Sequence, residues 1–253
     1  MEGAKVETRK REFSGKDAGS VRKQIADAHT QEMVHRSKPC AGKVGIVQAL
    51  CGTGVFLGLW FVPAMMGYNL IDQPVETLRI CFALSFPVLL ISYSTLRLQP
   101  EICPMWWAAF RGLLSLPVGI VAASFVGTVF GAPISYESAV KTFHWAALIS
   151  ALTVVPVAVV VGGSWSTWHR LFARTEPDGP LELALCLSAH CAAIGSWVGA
   201  WPMPLDWERR WQEWPVCCTY GTVGGYLLSV IFSIAWYSAN RGASSEGEKK
   251  KVN

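Results

Sequence analysis

The chain has 253 residues, of which 51% are hydrophobic and only 16% charged, against about a quarter charged in an ordinary soluble domain. Its formal net charge of +4 is carried mostly by the two ends, in Lys5, Arg9, Lys10, Arg11, Lys16, Arg22 and Lys23 and again in Lys249, Lys250 and Lys251. That distribution excludes the basic face of a nucleic-acid-binding domain and points to membrane lipid as a partner.

Residues 1–43 hold ten Lys/Arg and six Asp/Glu. They are expected to form a polar, disordered cytosolic tail, either simply solvated or drawn to anionic lipid. The first 30 residues contain no apolar run of the kind a secretory signal peptide needs, so the first span is expected to target the chain. A bilayer core takes roughly 20 apolar residues of helix. Six stretches qualify: Val44–Met66, Thr77–Leu96, Leu113–Pro133, Phe143–Gly163, Leu181–Trp201 and Val216–Trp236. The fifth is diluted by Glu182, Ser188, His190 and Ser196. The expected fold is all-α, a six-helix transmembrane domain over 44–236 followed by a basic cytosolic tail over 237–253.

Orientation follows from the loop charges. With the N-terminus cytosolic, Arg97, Arg111, Arg170, Arg174 and both tails fall on that side. Only Arg79, Lys141, Arg209 and Arg210 fall on the other, 18 positive residues against 4. Six spans then return the C-terminus to the cytosol. Trp60, Trp106, Trp107, Trp145, Trp165, Trp168, Trp197, Trp201 and Trp236 lie near span ends, where indole prefers the headgroup region.

The third span repeats Ser115, Gly119, Ala123, Gly127 and Gly131 every four residues, and Gly54 with Gly58, Gly195 with Gly199 and Gly221 with Gly225 share the spacing. Such a face lets another helix approach closely, either inside this bundle or on a partner. Pro87, Pro117 and Pro156 sit mid-span, where they are expected to kink helices or mark small cavities. The eight cysteines include no CxxC pair, so neither a zinc site nor a disulfide framework is expected. Cys within spans acts as a small hydrophobe.

The densest polar cluster is the loop 202–215, PMPLDWERRWQEWP. Its prolines bound Trp207, Trp211 and Trp214 at helical spacing, which predicts a short amphipathic interfacial helix. Asp206 and Arg209, three apart, are expected to pair on it. Asp206 and Glu208 have the chemistry for acid–base work and the arginines for holding a lipid phosphate. The plainer alternative is a Trp-anchored loop that pairs with itself. His190, mid-span, is expected to bond between helices, with proton handling as the alternative. Arg111 and Glu182 are expected to snorkel to the interface. No nucleophile, phosphate-loop or metalloprotease motif occurs, and no cofactor or metal is called for. Lys250 and Lys251, three and four residues from a cytosolic C-terminus, have the form of an endoplasmic-reticulum retrieval signal.

The strings Gly131-Ala132-Pro133, Val154-Val155-Pro156, the run from Gly195 through VGAWPMPLDWER to Arg209, and Trp211-Gln212-Glu213-Trp214-Pro215 occur in this order. Over residues 113–236 the chain resembles the PIG-F family of glycosylphosphatidylinositol (GPI) anchor biosynthesis. Arg210 stands where the family often has Pro, and Trp201 where a small aliphatic is expected. The resemblance implies a non-catalytic subunit that stabilises an endoplasmic-reticulum GPI ethanolamine phosphate transferase. The catalytic partner would add ethanolamine phosphate to a mannose of the GPI core. The loop residues Pro202, Pro204, Asp206, Trp207, Glu208, Arg209, Trp211 and Trp214 would contact that partner or lipid, with the GPI precursor as a further candidate. Gly119, Ala123, Gly127, Gly131, Gly195, Gly199, Gly221 and Gly225 would serve helix packing. The alternative is a stand-alone lipid-handling protein or enzyme that works through Asp206 and Glu208, with His190 as a third group.

Overall fold

The computed structural model describes residues 39–98 and 103–252, the side chains from 241 onward excepted. The tail expected over 1–43 therefore lies mostly outside the described residues. Six helices are long and apolar enough to cross a membrane: α1 (Ala41–Met65), α2 (Pro74–Ser94), α3 (Met105–Val129), α4 (Tyr136–Val161), α5 (Pro180–Ala200) and α6, apolar over Val216–Asn240. The helix α6 continues as backbone to Val252.

Three of the helices start where the sequence supplies a start. Pro74 and Pro180 occupy first-turn positions, where the missing N–H would have had no partner. Ser135 caps α4 by accepting from the Ser138 N–H at 3.2 Å. Two helices start well before the apolar stretches do. The first turns of α4 carry Glu137 and Lys141, which pair at 3.0 Å. In α3 the charged Arg111 stays in the helix because its Nη2 donates to the Val159 carbonyl of α4 at 3.0 Å. Arg111 thus bonds within the bundle, where snorkelling was expected.

Two irregularities were not foreseen, a π-turn at Arg170–Arg174 between α4 and α5 and another in α1. Residues Leu57–Phe61 of α1 form a π-turn just before Pro63, a common device for absorbing an extra residue in a helix. Pro87, Pro117 and Pro156 remain inside continuous helices.

The helix α4 is the centre of the bundle, packed by α3, α2 and α5, while α6 packs on α5 and α1. Within the most apolar stretch, 72% of α4 is buried against 11% of α3, so α3 is a peripheral helix whose outer face is open. Small residues set the contacts. Gly119 meets the Ser150 Cβ and Gly127 meets Trp145, both on α4, while Gly58 approaches the Cys81 backbone of α2. Gly195 and Gly199 of α5 interlock with Gly221 and Gly225 of α6, backbone against backbone. Gly131 differs: it has φ +102° with open space around it, a chain reversal that glycine adopts without penalty.

At the end of the bundle away from the 202–215 loop, Arg170 pairs with Glu182 at 2.8 Å, and Glu182 also accepts from the Asp178 N–H at 2.7 Å. Glu182 is buried in this pair, where snorkelling was expected. Its hydrogen bond to Arg170 raises the guanidinium pKa further above its ordinary value. Tyr237 Oη donates to the Pro180 carbonyl at 2.5 Å, tying α6 to the start of α5.

Candidate functional site

The loop between α5 and α6 is not a helix. Turns over 201–206 lead to an extended stretch and a single 3-10 turn at Arg210–Gln212. Pro202, Pro204 and Pro215 lack the N–H groups a helix would need, and Glu208 adopts a left-handed backbone with φ 49°.

What organises the loop instead is Gln212, buried at its centre. Its Oε1 accepts from the Arg209 N–H at 2.9 Å, and its Nε2 donates to the carbonyls of Pro202 at 2.7 Å and Leu205 at 2.8 Å. One amide thus gives the Arg209 N–H its acceptor and adds a second donor to the Pro202 and Leu205 carbonyls, which already accept from the N–H groups of Leu205 and Trp207. Sequence reasoning passed over Gln212. The available signal was a lone amide, able to donate twice and accept, among prolines and tryptophans.

The three tryptophans part company. Trp207 and Trp211 lie 6.0 Å apart. Trp214 turns inward, donates from Nε1 to Thr142 Oγ1 of α4 at 2.9 Å and meets Trp145 edge-on at 5.0 Å. Pro204, Asp206, Trp207, Glu208 and Arg209 are exposed, and Pro202 is half-buried. Asp206 and Arg209 do not form the expected pair. Arg210 instead reaches Asp72 in the 66–73 loop. The Asn69 side chain donates to Asp72 at 2.6 Å, and this bond, followed by Arg210, holds the Asp72 carboxyl below its usual value.

Beneath the loop is a cleft of about 390 Å³ between α3, α4 and α5, lined mostly by apolar groups, with Met203 and Trp214 of the loop among them. His190, further down α5, bonds to its own helix through the Cys186 carbonyl at 2.8 Å and lies 5.9 Å from Phe172. The expected inter-helix hydrogen bond is not made. The structure therefore does not gather Asp206, Glu208 and His190 into one site.

With this geometry in hand, the comparisons are specific. The family described as "GPI biosynthesis protein family Pig-F" matches residues 52–234. The chain belongs to the Pig-F family. That match begins in α1, so it also takes in α1–α2, where sequence inspection found no likeness. The chain is 29% identical to the mouse protein named "GPI ethanolamine phosphate transferase, stabilizing subunit", over 76% of this chain and 90% of that one. It is 38% identical to a human protein of the same name, over 45% of this chain and 51% of that one. A Schizosaccharomyces pombe "PIGF/3-ketodihydrosphingosine reductase fusion protein" is 30% identical over 64% of this chain and 32% of that one. No solved structure matches. Within this Pig-F chain, the motif of the 202–215 loop is divided between an inner set that holds the loop to α4 and an outer set that faces away from the bundle.

Proposed function

We propose that this chain is a non-catalytic stabilising subunit of a GPI ethanolamine phosphate transferase, acting in GPI-anchor biosynthesis in the endoplasmic-reticulum membrane. The observation that carries this reading is the likeness to the mouse stabilising subunit across nearly the whole length of that protein. The fold supports it. The connections 66–73, 130–135 and 201–215 at the loop end are too short to fold a catalytic domain of their own. That end faces the lumen, and both chain ends are cytosolic, by the distribution of Lys and Arg.

The partner is a catalytic transferase that adds ethanolamine phosphate to a mannose of the GPI core. It does not dock on the glycine faces, because Gly119, Gly127, Gly195, Gly199, Gly221 and Gly225 are already occupied inside the bundle. The available surfaces are the outer apolar face of α3 and the exposed Asp206, Trp207, Glu208 and Arg209. Lys250 and Lys251 return the protein to the endoplasmic reticulum, and their replacement by Ser releases part of it to later compartments.

The test is reconstitution. The purified chain alone transfers no ethanolamine phosphate, and its removal from cells lowers the amount of the transferase while turnover per surviving complex is retained. Transfer by this chain alone overturns the reading. So does Asp206→Asn that leaves assembly intact and abolishes turnover, which would make Asp206 part of the chemistry.

A further inference from the structure

The cleft under the 202–215 loop has properties that the subunit reading does not require. It lies within the membrane-spanning zone, and its volume of about 390 Å³ falls in the range of small-molecule sites. Val126 of α3, Phe130 just after it, and Ile194 and Trp197 of α5, all exposed, line it. Met203 and Trp214 of the loop line it as well, and the bond from Trp214 to Thr142 fixes that side.

Two polar groups in this lining lack a partner among the described residues, the buried Trp145 indole N–H and the Ser196 hydroxyl. Ser196 is only 8% exposed, lines the cleft, and has no hydrogen-bond partner among the described residues. The buried or half-buried hydroxyls of Thr142, Thr153, Thr219 and Thr222 each donate to the carbonyl four residues back in their own helices. Ser196 does not. The Ser196 hydroxyl is not sealed inside the protein but opens onto this apolar cleft, where a hydroxyl without a partner is costly, so an occupant that brings an acceptor is favoured. Water is a poor candidate, since it needs two to four polar partners and the lining is apolar. Depth decides the chemistry. Ser196 lies one turn, about 6 Å, below the end of α5 at Ala200. Trp197 and Trp201 flank it, both exposed at the level where indoles mark the membrane boundary. The groups found at that depth are the ester carbonyls of glycerolipids.

We infer that the cleft holds one acyl chain of a bilayer diacylglycerophospholipid, with an ester carbonyl of that lipid accepting a hydrogen bond from Ser196 Oγ. The 202–215 loop then closes over the chain while its exposed residues lie at headgroup level. A partner's helix is a cylinder about 10–12 Å across and would have to displace the fixed Trp214, whereas a single hydrocarbon chain enters from the side between α3 and α5. The inference depends on the membrane-spanning fold and stands apart from the identity of the transferase.

The experiment uses the full chain in nanodiscs of palmitoyl-oleoyl phosphatidylcholine doped with a phosphatidylcholine that carries a diazirine in one acyl chain. Photolabelling is expected to concentrate on segments 126–131 and 193–197, well above the level at Leu228 and Ile231, exposed residues on α6 that meet only bulk lipid. Native mass spectrometry after mild detergent extraction is expected to show one retained phospholipid. Ala193→Phe, which fills the cleft from an exposed position, removes it. Ser196→Ala weakens retention about two- to tenfold, the worth of one neutral hydrogen bond, with thermal unfolding unchanged. Labelling no greater than at Leu228 and Ile231 overturns the inference. So does lipid retention indifferent to both variants, or a photoreactive side chain at position 193 that captures a co-purified polypeptide and no lipid.

Discussion

Gln212 and Arg210 are neighbours in the same loop with opposite energetic weight. Gln212→Leu strands the half-buried Arg209 N–H, at up to about 1–3 kcal/mol, and takes a second donor from the Pro202 and Leu205 carbonyls, which keep their bonds from the Leu205 and Trp207 N–H groups. The expected result is a lower unfolding temperature and faster proteolysis within 201–215, measured on the purified protein. Arg210→Pro should leave the turn intact, because no hydrogen bond to its N–H closes the 3-10 turn and Pro suits the first position of such a turn. It removes only the pair with Asp72, whose side chain is exposed. The Asp72 pKa is lowered on folding, so whatever the contact contributes is complete at neutral pH and fades as the medium is acidified through that lowered value. Asp206→Asn and Arg209→Ala should be silent in thermal unfolding, because both side chains are exposed and unpaired with one another. Any effect of theirs belongs to docking. The sequence displayed the loop's composition plainly, but three prolines and one side-chain amide outweighed the helical spacing of its tryptophans. No periodicity reports a side-chain-to-backbone bond.

At the scale of helices, the four-residue glycine spacing was legible and its destination was not. A small-residue face is equally suited to a helix of the same chain or of another; only the fold shows α5 and α6 using each other's. Their crossing is so close that a Cβ on Gly225 would lie 3.2 Å from the Gly195 Cα and closer still to the Cys191 carbonyl. Gly225→Ala must therefore push the helices apart, at about 1–3 kcal/mol by analogy with overpacked cores. Gly224, one residue earlier, has nothing within 4 Å of its would-be Cβ, so Gly224→Ala should be neutral or stabilising through helix propensity alone. The pair is compared by thermal unfolding in one detergent. Equal destabilisation by both would mean that the crossing is looser than described. Gly127→Leu carries a related expectation. Its first added carbon already meets the Trp145 ring at 3.1 Å, so the variant should disturb the α3–α4 contact and the neighbouring cleft before any partner is lost.

For the molecule as a whole, six spans were legible because a bilayer demands runs of apolar helix, a signal written in composition. The starts of α3 and α4 were not, since Arg111 and Lys141 break the apolar run while bonding to Val159 and Glu137. Antiparallel spans place Arg97, Arg111, Arg170 and Arg174 at one end of the bundle, and Arg79, Lys141, Arg209 and Arg210 at the other. Two of the second group are neutralised by acidic neighbours, Lys141 by Glu137 and Arg79 by Glu76 at 3.0 Å, and Arg210 meets Asp72. At the first end Arg170 is paired with Glu182, while Arg97 and Arg111 are bonded to backbone carbonyls and have no acidic partner among the described residues. The rule that basic loops stay cytosolic counts Lys and Arg whatever their acidic neighbours, and it favours a lumenal 202–215 loop. An N-glycosylation acceptor inserted after Asp206, on a spacer long enough to clear the membrane, should be modified in microsomes. The same acceptor after Pro177 should not. Modification after Pro177 alone would invert the protein and place the cleft, its loop and Ser196 at the cytosolic leaflet, away from the lumenal surface where a transferase domain would meet them.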